Sequence, residues 1–293
     1  MKIRPLYIVL ILLSLVSLFV LNLINQTFLM AEKAAFLMGT PVSVKVEGLY
    51  AGLYAEMALE EIKGLEQVFS NKIPMSEISL LNRLAGLAPL QVSNDTLECL
   101  KLAQQMNRLT GGAFDVTLGH PEALVVDPKM GKVFIRKQGV KVDLGGIGKG
   151  FAVEKARALL QKEGAASGMI DMRSSIAVFG KKARKIGIQD PKERSKLLGA
   201  VELSDNQSLS TSGNYERGNH ILDPRTQRPA RGCSSVTVIG KNAAEADALS
   251  TALFVLGPVA GAKLINVLPG KQAMIVDDRG ELYFSSDFVL LKP

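Results

Sequence analysis

The apolar positions change period several times along the chain, and each change marks an element. From Leu6 to Ile24 they run almost unbroken, interrupted only by Ser14, Ser17 and Asn22. From Phe36 to Val46 they alternate, which predicts a strand interrupted at Met38-Gly39-Thr40. Helical spacing follows in Ala51–Phe69, where Ala58, Ile62, Leu65 and Phe69 share a face. Two further helices are predicted over Ser76–Leu84, capped by Ser76, and Ser93–Leu109, closed by Thr110-Gly111-Gly112. β-Branched residues at Val133, Ile135, Val140 and Val142 bracket a turn. Strands are expected at Met169–Phe179, Ala183–Gln189, Leu198–Leu203, Ser235–Ile239, Gln272–Val276 and Leu282–Ser285. A helix over Ala243–Leu256 starts at the cap Asn242, with Glu245 placed to reach back, and stops at Gly257-Pro258. This alternation predicts an α+β fold, with a mixed, largely antiparallel sheet and packed helices in one large domain over 34–293.

The first apolar run is close to the roughly 20 residues that cross a bilayer. Lys2 and Arg4 precede it, so residues 1–5 are expected in the cytoplasm, 6–24 as a transmembrane anchor or signal segment, and the body outside. Leu29-Met30-Ala31 offers a cleavage site, but the run exceeds the usual 7–15 residues of a signal-peptide core, which favours an uncleaved anchor. No cysteine follows the run to carry a lipid.

With 293 residues and no long polar linker, one large unit is expected rather than two independent domains. The net charge of +7 is spread along the chain, apart from the dense cluster Lys181, Lys182, Arg184 and Lys185. Few aromatics accompany that cluster, so it reads as a solvated turn or a membrane-proximal face, and nucleic acid is not expected as a partner. Cys99 and Cys233 have no metal-ligand spacing and are expected as buried free thiols.

Candidate chemistry concentrates in three stretches. Asp143-Leu144-Gly145-Gly146-Ile147-Gly148-Lys149-Gly150 sits where a strand pattern gives way to a helix pattern, a place where backbone N–H groups can meet a phosphate. It is not a P-loop, because Asp143 and Gly150 occupy the positions of the first glycine and the Ser or Thr. Nor is it the dinucleotide fingerprint, because Phe151 stands at the third glycine. A tight turn without ligand is the plain alternative. In the second stretch Asp247 and Thr251, four residues apart on one helical face, present hard oxygen ligands that suit magnesium, although an Asp in a first helical turn is also common for its dipole alone. The third runs from Ser210 to Arg217 and on through His220-Ile221-Leu222-Asp223-Pro224, too polar for a plain hairpin.

Taken in order, Met38-Gly39-Thr40, Phe69-Ser70, Ser76-Glu77-Ile78-Ser79, Thr110–Asp115, the Asp143–Ala152 loop, Ser210–Arg217, His220–Pro224 and Ala246–Ala252 resemble the FAD:protein FMN transferases of the ApbE family. The resemblance covers nearly everything after the apolar run. It implies a magnesium-dependent transferase that cleaves the FAD pyrophosphate, attaches FMN through a phosphoester to a Thr or Ser of a target protein and releases AMP. It also implies a site. Asp247, Thr251 and the carbonyl of Gly146 correspond to the metal ligands. Met38, Ala113, Phe114, Asp115, Asp143, Ser212 and His220 correspond to contacts with FAD, Arg173 is taken as a further FAD contact although it departs from the family pattern, and His220 and Lys149 are the candidate catalytic residues. The implied acceptors are flavin-carrying subunits of membrane electron-transfer complexes of the Rnf and Nqr kind, reached from the outer face of the inner (plasma) membrane.

Three features depart from the family pattern. Lys72 stands where an aromatic is usual, the segment after Asp115 is short and lacks Trp, and Met172-Arg173-Ser174 replaces a strand end of Gly-Gly-Asp. Arg173 at that end either blocks a nucleotide phosphate or clamps it. Two other functions therefore stay open at this point: an FAD pyrophosphatase that uses water as nucleophile, and a flavin-binding protein without catalysis.

Overall fold

The computed structural model describes residues 5–204, 206–214, 218 and 220–292, and the side chains within them apart from those of 5–9 and 22–28. The expected cytoplasmic residues 1–4 and Tyr215-Glu216-Arg217 of the third stretch lie outside the described residues. In chain order the elements are α1 (Pro5–Phe28), β1 (Met30–Leu37), β2 (Thr40–Glu47), α2 (Ala51–Phe69), α3 (Glu77–Arg83), β3 (Leu90–Gln91) and α4 (Asn94–Leu109). There follow β4 (Leu124–Asp127), β5 (Lys132–Ile135), α5 (Gly148–Lys162), β6 (Ser167–Asp171), β7 (Ser175–Phe179), β8 (Arg184–Gln189) and β9 (Leu197–Leu203). The chain closes with β10 (Ser208–Gly213), β11 (Leu222–Asp223), β12 (Arg228–Pro229), β13 (Cys233–Gly240), α6 (Ala243–Asn266), β14 (Gln272–Asp277) and β15 (Leu282–Phe284).

Eight strands form the main sheet in the order β1-β2-β6-β7-β10-β13-β14-β15. Every pairing among the described residues is antiparallel, so the expected mixed sheet is in fact uniform. Helices α2, α5 and α6 cover one face through a continuous core that includes Val44, Ile62, Phe151, Leu160, Ile170, Val236 and Leu249. The hairpin β8–β9 and Phe288 cover part of the other face, over Val178, Leu209, Ile239 and Met274. Strand β7 is buried along its whole length for this reason, and its sequence Ser175-Ile176-Ala177-Val178-Phe179 shows no alternation.

Two expected strands are hairpins. The interruption at Met38-Gly39 is a two-residue reversal with φ of +51° and +72°, the left-handed pair that matches strand twist. Met169–Phe179 folds back at Met172-Arg173-Ser174, where Arg173 takes φ +66°. The strand expected at Val140–Val142 is instead a buried loop, because Asn82 takes both backbone groups of Val142, donating to its carbonyl at 2.9 Å and accepting its N–H at 2.7 Å. Gly257 breaks α6 with φ +80°, as the sequence predicts, but Pro258 then starts a second helical segment that runs to Asn266. Asn242 caps α6 by accepting the Glu245 N–H at 3.0 Å, whereas the Glu245 carboxylate pairs with Lys271 and does not reach back.

Helix α1 is exposed along 10–21, and Leu10–Leu21 is apolar throughout except for Ser14 and Ser17. Of the helices whose side chains are described throughout, α6 is the one long and apolar enough to cross a membrane, yet more than half of its apolar window is buried in the protein. The basic cluster is not simply solvated. Lys182 and Arg184 donate to Glu47 at 2.8 and 2.9 Å, and although burial alone would raise the Glu47 carboxyl, these two partners hold it below its usual range. Cys99 and Cys233 are free and buried, as expected, and burial pushes the Cys233 thiol up to about 12.

Candidate active site

The site forms where α5 and α6 begin beside each other against β10. Their approach is set by Gly150, since a Cβ there would stand 2.3 Å from the Ala243 carbonyl oxygen and 2.5 Å from the Asp247 Cβ. Only glycine lets the two backbones come this close. The crossing is locked by buried Arg157, which donates to half-buried Glu154 at 2.6 Å and to the carbonyls of Asn206 and Lys241 at 2.6 and 2.5 Å. Glu154 in turn accepts the Ala243 N–H at 2.7 Å, which ties the start of α6 to α5.

Strand β10 explains the polarity of its sequence. With a strand period of two, Ser208, Ser210 and Ser212 all face the helices. Ser208 receives Arg157 at 3.1 Å, Ser210 donates to Asp247 at 3.0 Å, and Ser212 sits 2.8 Å from Ser250 and 3.2 Å from the Thr251 hydroxyl. Leu209 points the other way, into the core beneath β8–β9. A stretch that reads as a polar loop is therefore a central strand with a hydroxyl stripe.

Asp247 is 3% exposed and engages only neutral groups, the Ser210 hydroxyl and the Gly150 N–H at 2.9 Å. No ion pair reaches it among the described residues. A buried carboxylate ordinarily has a cationic partner, so a cation fits here. Thr251 lies one turn on, and a Cβ on Gly146 would meet its Oγ1 at 3.1 Å and Phe114 at the same distance. One carboxylate, one hydroxyl and a nearby carbonyl make a hard-oxygen set of the kind magnesium accepts together with water and substrate phosphate. Among the described residues no cluster of three His, Cys, Asp or Glu side chains could hold a metal, so any ion here depends on such a mixed set.

The glycine loop divides its N–H groups. Gly145 donates to Asp143 at 2.7 Å, Ile147 and Gly148 to the Leu144 carbonyl at 3.1 and 2.7 Å, and Gly150 to Asp247. The amides of Gly146 and Lys149 have no partner among the described residues. The loop is thus partly a packing device and partly an unfilled donor pair at an uncapped helix start.

Helices α2 and α4 bring in the rest. Glu66 accepts the Met38 N–H at 2.7 Å and holds the β1–β2 turn at the cavity. Asn107 donates to the Phe114 carbonyl at 2.9 Å, and Thr110 accepts the Phe114 N–H at 3.1 Å, which places Ala113-Phe114-Asp115. Asp115 itself organises the next turn, since it accepts from Thr117 and from the Gly119 N–H. His220 is exposed and its Nδ1 lies 2.9 Å from the Gly218 carbonyl. Arg173 extends from the β6–β7 turn, whose backbone N–H Asp171 accepts at 2.6 Å. Met38, Ala113, Phe114, Asp115, Asp143, Gly146, Lys149, Arg173, Ser212, His220, Asp247 and Thr251 all line one cavity of about 1390 Å³, and Lys72 lines it as well. That volume exceeds the roughly 300–1,000 Å³ of an ordinary small-molecule site.

The sequence reading passed over Gly150 as a packing residue, Ser210 as a partner of Asp247, and the Glu154–Arg157 lock. Serines at alternate positions before Gly213 carried the signal for the second. The other two depend on contacts 97 and 84 residues apart in sequence, which no local pattern reveals.

The family model for the ApbE family matches residues 38–125 and 120–276. A Klebsiella pneumoniae protein named FAD:protein FMN transferase is 25% identical, over 86% of this chain and 91% of its own length. A Treponema pallidum protein of the same name is 29% identical, over 84% of each chain. The crystal structure of the ApbE protein from Thermotoga maritima superimposes with a TM-score of 0.80 at 30% identity, covering 88% of this chain and 97% of that one. The flavin transferase ApbE from Vibrio cholerae has the same fold, with a TM-score of 0.77 at 23% identity and coverage of 89% and 98%. The eight motifs in order, the antiparallel sheet with its glycine-loop crossing, and a family match over most of the chain agree, and the chain belongs to the ApbE family of transferases.

Proposed function

We propose that this chain is a magnesium-dependent FAD:protein FMN transferase that attaches FMN to a Thr or Ser hydroxyl of its target. The observation that carries this reading is Asp247, a buried carboxylate with only neutral partners at the wall of a cavity large enough for a dinucleotide. The shared name of the Klebsiella and Treponema relatives supports it. Asp247, Thr251 and the Gly146 carbonyl would hold the ion. A magnesium ion bound there supplies charge neutralisation for the pyrophosphate oxygens.

The chain's own groups do the rest. The amides of Gly146 and Lys149 donate to phosphate oxygens, and the Lys149 ammonium, 3.4 Å from the Gly145 carbonyl, adds a charge at the same loop. Met38, Ala113, Phe114, Asp115, Asp143 and Ser212 contact FAD, and Arg173 clamps its phosphates in place of the small residues usual at that turn. With Nδ1 donating to Gly218, the Nε2 of a neutral His220 is the basic nitrogen. It takes the proton as the acceptor oxygen bonds to the FMN phosphorus. The bond to the AMP phosphate breaks and AMP leaves with the electron pair.

Helix α1 spans about 36 Å at 1.5 Å per residue, enough for the roughly 30 Å of a bilayer's hydrocarbon. In this reading it anchors the chain in the inner (plasma) membrane with the body outside the cytoplasm, where electron-transfer subunits of the Rnf and Nqr kind are the acceptors. The test incubates the full-length chain with FAD, magnesium and such a subunit, then weighs the denatured acceptor. An FMN adduct, lost with chelator and reduced about 100- to 1000-fold in Asp247→Ala, is expected. AMP and free FMN without adduct would make the protein a pyrophosphatase, and intact bound FAD a flavin carrier.

A further inference from the structure

We infer that the end of the main sheet opposite the cavity rests on an anionic lipid surface, so that the site opens away from the membrane. The inference builds on the proposed anchor. Only Leu29 separates the end of α1 from the start of β1. Wherever α1 leaves the bilayer, Met30 is therefore at the lipid headgroups, and the register of the sheet carries its neighbours there too. Met30 pairs with Glu47, Glu47 with Ser167, and the adjoining Gly168 with Phe179. One end of four strands, β1, β2, β6 and β7, thus faces the helix exit.

That end is built for an interface. Leu29, Met30, Leu49, Tyr50 and Leu53 are exposed there, Tyr50 at 59%. The Gly48 N–H donates to the Leu29 carbonyl at 2.8 Å, which joins the two apolar segments, and the Tyr54 hydroxyl donates to the Glu163 carbonyl at 2.9 Å, which brings in the end of α5. Exposed Lys162 precedes Glu163 at the end of α5, and exposed Lys181 and Lys182, with Arg184, follow the Phe179 end of β7. Glu47 is neutralised by Lys182 and Arg184. Aliphatic and tyrosine side chains with lysines at the same end match the boundary between acyl chains and anionic headgroups. The other end of the same strands carries the Met38-Gly39 and Arg173 turns that line the cavity. Eight residues of β1 separate the two ends by as much as roughly 25 Å. An acceptor hydroxyl must therefore be presented well clear of the bilayer, on an extramembranous domain or arm.

The chain contains no tryptophan, so a single substitution makes a unique reporter. Full-length Tyr50→Trp and Phe36→Trp variants would be reconstituted in vesicles of phosphatidylcholine with or without phosphatidylglycerol, with brominated lipid as quencher. Phe36 is 72% exposed at the cavity end. Emission from the Tyr50→Trp reporter should shift to shorter wavelength and be quenched in the anionic vesicles, while that from Phe36→Trp is not. Adding Lys162→Gln and Lys181→Gln should lower the docked-to-free ratio roughly fivefold for each lysine removed. If the protein floats with the vesicles but the Tyr50→Trp reporter stays unquenched, the docking is wrong and the anchor stands. Equal quenching of both reporters would also overturn it. Failure to float after a carbonate wash would remove the anchor itself, and the inference with it.

Discussion

The starts of α5 and α6 lie side by side and differ in what finishes them. At α6, Asn242 accepts the Glu245 N–H and Glu154 accepts that of Ala243, so side chains satisfy two of its first three amides, and that of Ala244 has no partner among the described residues. At α5, Ile147 offers no side-chain cap and the Gly146 and Lys149 amides are unpartnered among the described residues. Each start thus leaves one first-turn amide open among the described residues, and α5 adds the open Gly146 N–H just before it, donors of the kind an anion can meet. Among the described residues the side chain that accepts from the first turn of α5 is that of Asp247, which belongs to α6 and joins the two starts.

Two substitutions probe this contrast. Gly150→Ala should have the largest effect, because its methyl would meet the Ala243 carbonyl and part the two helices. About 1–3 kcal/mol of stability should be lost in urea denaturation. Turnover should fall about 100-fold, as expected for a misplacement near 1 Å, and near-normal turnover would show that the crossing does not set the site. Asn242→Ala removes only a cap. It should cost about 1 kcal/mol in the same denaturation with FAD turnover unchanged. A matching loss of turnover would mean that both helix starts serve the chemistry.

The smallest effect concerns the far end of the sheet. Glu47 is held below its ordinary value of 4.5, so its ion pairs add stability that is present above that pH and fades as pH falls through the lower folded value. Acid unfolding of Glu47→Gln should therefore show a shallower loss of stability below about pH 4.5 than the parent, while flavin binding at neutral pH is the same in both. A parallel pair of acid profiles would deny Glu47 that role.

Much of the fold was legible because burial enforces period. Helix α2 reads directly from Ala58, Ile62, Leu65 and Phe69, and α3 and α4 from their serine caps, which accept from Ser79 and Thr96 as the pattern requires. The pattern failed where polar groups are buried for another purpose. Strand β10 was not among the expected strands because its inward face carries serines for Arg157, Asp247 and Thr251, and the loop at Val142 looked like a strand because Asn82 supplies ladder-like bonds from outside.

By itself, then, the sequence determined the helices and most strands, the order of the motifs, and the residue types that surround the cavity, since local propensity and periodicity are properties of neighbouring residues. Which groups meet was decided only in three dimensions. Gly150 and Asp247 are 97 residues apart, and Glu47 and Lys182 are 135 apart. Their contacts follow from strand order and helix crossing, which depend on how the whole core closes and not on any one segment.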